Sequence, residues 1–195
     1  MSFTGLKKTL INDSNLNIFK TNLRSRYLWS WEERGHYIDL FRKTFNRDIY
    51  NKIILDADLI CDHVFNFLGS GEVSLGREIE WKCDLKTRVK WPSYKSHLVP
   101  VLFQRGSDII RVWELSRFQW GPALGKAYWF TSDEKYVKEF IDQFSHWSRE
   151  NPIGFGPNWV SAQEAALRVI NWILTLNFIG DSRSISVIKT GGICF

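Results

Sequence analysis

Apolar residues recur every three or four positions in several stretches of the chain, and these are separated by runs in which no period holds. From Glu32 to Phe45 the spacing predicts a helix with Tyr37, Leu40, Phe41, Thr44 and Phe45 on one face. A second helix is predicted from about Tyr50 to Leu68, carried by Ile53, Ile54, Ala57, Cys61, Val64, Phe65 and Leu68, with Gly69 as its stop. Residues 70–108 lose the period. Glycines, Pro92 and Pro100 break the run, and only Glu78–Trp81 and Leu98–Phe103 read as short extended pieces. An irregular segment this long inside a helical protein is often functional.

Helical spacing returns at Asp108 and continues to Phe130 along a stripe of Trp113, Trp120, Leu124 and Ala127, with Pro122 expected to kink or divide it. Thr131 and Glu134 have capping-box spacing. They are expected to open a helix that turns Tyr136, Val137, Phe140, Ile141, Phe144 and Trp147 inward and stops at Asn151–Pro152. Ser161 and Glu164 repeat the box ahead of a last helix, with Ala162, Ala165, Ala166, Val169, Trp172, Ile173 and Leu176 inward. The short link after Phe130 predicts antiparallel neighbours. Residues 1–30 are polar and read as a loosely ordered lead-in. Residues 182–195 carry no period and read as a tail that leaves the architecture unclosed, as a premature stop or shifted frame near Ser182 would produce.

Composition adds two things. Ten Trp and fourteen Phe in 195 residues are enough for a large core and for flat apolar faces at a binding site. A net charge of +5 favours an anionic partner, but basic residues are scattered in groups of two or three, as on a solvated face. Cys61, Cys83 and Cys194 form neither a disulfide framework nor a zinc pair, and reduced thiols are expected. His36, His63, His97 and His146 lack metal spacing, and Asp56, Asp58 and Asp62 read as one helix's solvated face. No cofactor motif, nucleic-acid motif, signal-peptide core or membrane-length apolar run is seen, so the default localisation is cytoplasmic.

The ordered blocks ADLICDHVFNFLG at 57–69, WKCD at 81–84, WP at 91–92, WELSR at 113–117, NP at 151–152, NW at 158–159 and E-x-x-x-R at 164–168 resemble the amino-terminal domain of heparinase II/III-type polysaccharide lyases. The resemblance covers about residues 57–179. It implies an all-α fold, an incomplete (α/α) toroid over residues 31–181, built from antiparallel helix pairs with one long irregular segment. The implied partner is a uronic-acid-containing polysaccharide, cleaved by β-elimination in the intact family, together with the remainder of the lyase or a partner chain. The family's enzymes are commonly exported, which tempers the default localisation. The family's Asn, His and Tyr catalytic groups have no matching motif here, so the chain is expected to hold part of a groove without the elimination chemistry.

The resemblance makes Trp113, Glu114, Arg117, Asn158, Trp159 and Arg168 the candidate substrate-binding residues. Trp113 could stack on a sugar beside the Arg117 guanidinium fork; the alternative is a core indole beside a Glu114–Arg117 pair at i, i+3. Asn158 and Trp159 precede a helix, where loops present ligand groups, and Asn158 could equally hold its own turn. For Arg168, pairing with Glu164 at i, i+4 is favoured over ligand contact. Two other function classes compete with a carbohydrate-active fragment. One is a module whose apolar edge of Val169, Trp172, Ile173 and Leu176 packs on a partner. The other is a basic nucleic-acid binder, ranked last because no motif accompanies the charge.

Overall fold

The computed structural model describes residues 30–67, 71–101 and 106–188. The expected lead-in over residues 1–29, Gly69, Phe103 and residues 189–195 lie outside the described residues. The chain divides into two compact units, residues 1–41 and 42–195. Helix α1 (Arg34–Thr44) begins in the first and buries none of its own residues.

In the second unit, α2 (Arg47–Cys61) starts at Asn46, whose side chain accepts from the Ile49 amide at 3.0 Å. It ends seven residues before the predicted Leu68. His63 takes a left-handed φ of 54°, and Val64–Phe65 (β1) then pairs antiparallel with Val73–Ser74 (β2). The helical spacing of Val64 and Phe65 is real, but the turn at His63 redirects it into a strand. The extended pieces expected at 78–81 and 98–103 are likewise corrected: Leu98 ends a short 3-10 turn over Ser96–Leu98, and the described pairing beyond the hairpin is a single bridge between Cys83 and Lys90 and another between Lys95 and Phe155.

The irregular segment is organised by one carboxylate. Asp84 is fully buried; its Oδ1 accepts from the amides of Lys86 and Thr87, and its Oδ2 from Ser107 Oγ, the Asp108 amide and Arg111 Nη1. A loop too short of regular hydrogen bonds to hold itself is thereby fastened to the start of the next helix.

That helix, α3 (Ile109–Ser116), is capped by Asp108, and the helical stretch to Phe130 is divided, as Pro122 leads one to expect, though not at the proline. The break falls at 117–120, ahead of Pro122, because Phe118 adopts φ 58°. Left-handed backbone costs a bulky residue about 1–2 kcal/mol. Here it turns the Phe118 ring into the centre of the core, against Trp81, Trp120, Trp147 and Trp172, and burial of a large ring returns about 1.5–3 kcal/mol. Pro122 then occupies the first turn of α4 (Gly121–Thr131), where its missing N–H costs nothing.

Helix α5 (Glu134–Glu150) is capped by Asp133, whose carboxylate accepts from the Lys135 amide at 2.9 Å. The predicted Thr131–Glu134 box is absent: Thr131 bonds back to the Ala127 carbonyl, and Glu134 instead accepts from Ser182 Oγ and the amides of Arg183 and Ser184. Those contacts start α7 (Arg183–Ile188), a helix in a stretch read as aperiodic. Tyr136, Val137, Phe140 and Trp147 of α5 are buried, as their spacing predicts.

Helix α6 (Ala162–Ile179) packs along α4. A Cβ added to Gly121 would sit 2.6 Å from Thr175 Oγ1, and one on Gly125 would sit 2.8 Å from Phe178 Cβ, so the two helices run in the same direction at close approach. The α4–α5 hairpin with a third helix alongside is the repeating arrangement of an α/α architecture. The inward face of α6 differs from its predicted one. Glu164, Arg168, Thr175 and Phe178 are buried, whereas Ala162, Ala166, Val169 and Ile173 are exposed. Nor does Ser161 form the expected side-chain cap. The apolar period was followed, but buried charge sets the rotation of this helix.

The Gly125 crossing yields a direct test. Alanine in a helix is favoured over glycine by about 1 kcal/mol, while overpacking a tight contact costs about 1–3 kcal/mol. Phe178 Cβ is fixed to its backbone and cannot rotate away, so Gly125→Ala is expected to lower stability by about 1–2 kcal/mol net. A urea melt in which it gains stability would show that the helices separate at no cost.

Candidate functional site

WELSR, NW and E-x-x-x-R, distant in sequence, converge where α3, α5, α6 and the 3-10 turn Pro157–Trp159 meet. The turn at Phe118 brings Arg117 across to α6. Arg117 donates from Nε to Glu164 Oε2 at 2.6 Å and from Nη2 to Glu164 Oε1 at 2.8 Å, a bidentate fork, and from Nη1 to Glu114. Glu164 bonding chiefly, opposed by burial, holds the Arg117 guanidinium above its ordinary range. Gln119 donates to the other Glu114 oxygen. The i, i+3 pair expected between Glu114 and Arg117 is therefore present, embedded in a larger set.

Arg168 does not pair directly with Glu164 as expected. It is 1% exposed, donates from Nε to the Ser116 carbonyl at 2.8 Å and from Nη2 to the Asn158 carbonyl at 2.9 Å, and lies over Trp147 at 4.3 Å and Trp159 at 5.2 Å. Burial pushes its guanidinium down to about 10, with the nearby Glu164 charge opposing. Two glutamates and two arginines thus balance in charge within one partly dry cluster.

Asn158, fully buried, donates to the Trp81 carbonyl at 3.1 Å and to Asn151 Oδ1 at 2.8 Å. Asn151 ends α5, donating to the Trp147 carbonyl, and its own carbonyl accepts from Trp159 Nε1. Trp113, half-buried, donates its indole N–H to the Pro157 carbonyl at 2.8 Å. All six candidate residues are thus brought together. Trp113, Arg117 and Trp159 keep partial exposure, whereas Glu114, Asn158 and Arg168 are internal.

The sequence does not announce the roles of Ser116, His146, Asp84 and Asp58. Ser116 bridges the cluster twice, through its carbonyl and by accepting from Trp147 Nε1. Trp81 Nε1 donates to His146 Nδ1 at 3.1 Å, which places this half-buried histidine at the boundary of the core; an indole N–H only donates, which fixes Nδ1 as the acceptor. Glu164, expected to complete a capping box and to pair with Arg168 one turn on, takes Arg117 as its partner instead. Asp84 carried no local signal beyond its place in WKCD. Asp58, read as solvated, accepts from Tyr136 Oη and pairs with Lys135, both at 2.8 Å.

The family described as "Heparinase II/III N-terminus" matches residues 38–173, most of the chain and all of this cluster. The chain belongs to the heparinase II/III N-terminal family. It is 30% identical over 99 residues to a heparin-sulfate lyase of Pedobacter heparinus, a match covering 50% of this chain and 12% of that protein. It is 42% identical over 41 residues to a heparin-sulfate lyase of Bacteroides stercoris, covering 21% of this chain and 6% of that protein. A crystal structure of a mutant heparan sulfate lyase, HepC, from Pedobacter heparinus shares the fold, with a TM-score of 0.55 at 23% identity over 77% of this chain and 21% of that one. The chain therefore corresponds to a small part of these relatives' length. The all-α toroid class expected from the sequence agrees with this family and with the helical pairing described above.

Proposed function

We propose that the chain is the amino-terminal toroid part of a heparinase II/III-type lyase and that it holds a uronic-acid-containing polysaccharide without carrying out elimination by itself. The observation that carries this reading is the family match over the helices that build the Arg117–Glu164 cluster. Elimination removes the proton alpha to a uronate carboxyl group and expels the glycosidic oxygen. It requires a base, an acid and a neutralised carboxylate held together. The cluster offers cations and indoles, but its carboxylates are spent on arginines, and the described histidine beside it, His146, accepts from an indole. In this reading Trp113, Arg117 and Trp159 meet the sugar at their exposed edges, while Glu114, Asn158 and Arg168 hold them in place.

The purified chain is expected to bind heparan sulfate with a dissociation constant that rises with salt, and to release no unsaturated uronate by ultraviolet absorbance. Sustained product formation would overturn the non-catalytic half of the proposal. A folded sample that fails to bind heparan sulfate would overturn the binding half. A second reading rests on α6, where Val169, Ile170 and Ile173 are about half exposed on one face. Such a face suits packing on further polypeptide, the remainder of a lyase or a partner chain. Concentration-dependent self-association without sugar would favour it.

A further inference from the structure

We infer that Lys95 and Phe155 form a second contact point for the acidic polysaccharide, a cation-and-ring pair on the ledge where two loops are zipped together; this rests on the polysaccharide reading above. The loops 93–98 and 153–156 are joined by Ser96 N–H to the Gly154 carbonyl at 2.8 Å and Gly156 N–H to the Tyr94 carbonyl at 2.7 Å. These bonds flank the antiparallel Lys95–Phe155 bridge, which makes that pair the non-hydrogen-bonded one. Side chains of such a pair emerge on the same face as immediate neighbours.

Both are exposed, Phe155 at 43%, although a phenylalanine ordinarily buries itself. Its position is held from three directions. Its amide donates to the Pro152 carbonyl at 3.0 Å, and Gly154 and Gly156 on either side take φ of 82° and 75°, conformations that side-chain-bearing residues resist. Pro157, next along, accepts the Trp113 indole N–H, so the ledge is tied to the cluster already described. Among the described residues Lys95 has no ion-pair partner, whereas neighbouring Lys82 is spent on Glu150, its ammonium donating to that residue's carbonyl at 2.9 Å.

A flat ring beside an unneutralised ammonium matches the two halves of a uronate residue. The C–H face of the pyranose lies on the ring, and the carboxylate or an attached sulfate meets the cation. A neutral sugar would leave the charge unused, and an apolar protein surface would bury it unpaired.

The test compares heparan sulfate affinity of the full chain with Phe155→Ala, Lys95→Gln and the double variant, with thermal melts confirming that each is folded. Phe155→Ala is expected to weaken binding about fivefold with its salt dependence unchanged. Lys95→Gln is expected to weaken it about threefold and to flatten the salt dependence. Phe155→Trp should restore or exceed the parent affinity. Because both groups would hold one sugar, the double variant should lose less than the product of the single losses. If the parent binds and neither single variant changes its affinity, the inference fails while the polysaccharide reading stands. If the parent does not bind, both fall together. If Phe155→Ala alters only self-association in sedimentation, the ledge docks protein and the inference is overturned.

Discussion

Asp84→Ala is expected to destabilise the chain by about 3–5 kcal/mol, more than any other single carboxylate removal among the described residues, seen as a lower urea midpoint with an unchanged slope. Alanine strands the amides of Lys86, Thr87 and Asp108, the Ser107 hydroxyl and one arm of Arg111, all of which converge on this side chain. Asparagine should recover only part of the loss. Its oxygen can serve Lys86 and Thr87, but its NH2 then faces the Ser107, Asp108 and Arg111 donors. The same geometry has a pH signature. Burial alone would raise the Asp84 carboxyl, yet the Asp108, Lys86 and Thr87 amides and the Ser107 hydroxyl outweigh it and hold the group well below the usual carboxylate range. A carboxylate lowered on folding contributes its full stability above its unfolded pKa of about 3.9 and loses it as pH falls through the folded value. Stability of the parent should therefore decline below about pH 4, and Asp84→Asn should show a shallower decline there. A parallel decline in both would show that another group governs acid unfolding.

Arg168→Met is the second large effect, with an expected loss of about 3–5 kcal/mol by the same measurement. Methionine could fill the slot between Trp147 and Trp159, but the buried Ser116 and Asn158 carbonyls lose their donor. The cluster is also left with two carboxylates against Arg117 alone. Replacing a whole buried ion set by apolar groups can be neutral; removing one member is not. Arg168→Lys keeps the charge and gives up the planar fork that spans two carbonyls, so its loss should fall between parent and methionine. A loss below about 1 kcal/mol for Arg168→Met would show that the guanidinium is carried at little benefit to the fold.

The main helices were legible in type and order because α2, α5 and the α3–α4 region write their burial in apolar residues at helical spacing, whereas the β1–β2 hairpin and α7 were not. What escaped has a common cause. Pro122 announces a division of the α3–α4 region, but the break falls at Phe118, a left-handed residue whose compensation comes from Trp81, Trp147 and Trp172, far off in sequence. The α6 face was misread because its buried stripe contains Glu164 and Arg168, which periodicity assigns to solvent, while Val169 and Ile173 point outward. For the candidate site, the motifs named the right neighbourhood. They could not pair Arg117 with Glu164, since helical spacing offers Arg168 as the nearer partner and only the crossing of α3 and α6 supplies the true one. Lys95 and Phe155 were invisible for a similar reason, because a two-residue bridge between loops leaves no period.

The tryptophans around Phe118 also make the protein optically unusual. Trp172 and Trp147 stand 5.6 Å apart at 72°, and Trp147 and Trp159 stand 5.8 Å apart at 52°. Indoles this close and this steeply inclined share their electronic excitation, which gives a circular dichroism signal of its own in the far ultraviolet, overlapping the band from which helix content is read. That band therefore reports the indole array together with the backbone. A variant that only loosens the indoles will look as though it has lost helix while every backbone hydrogen bond is still in place.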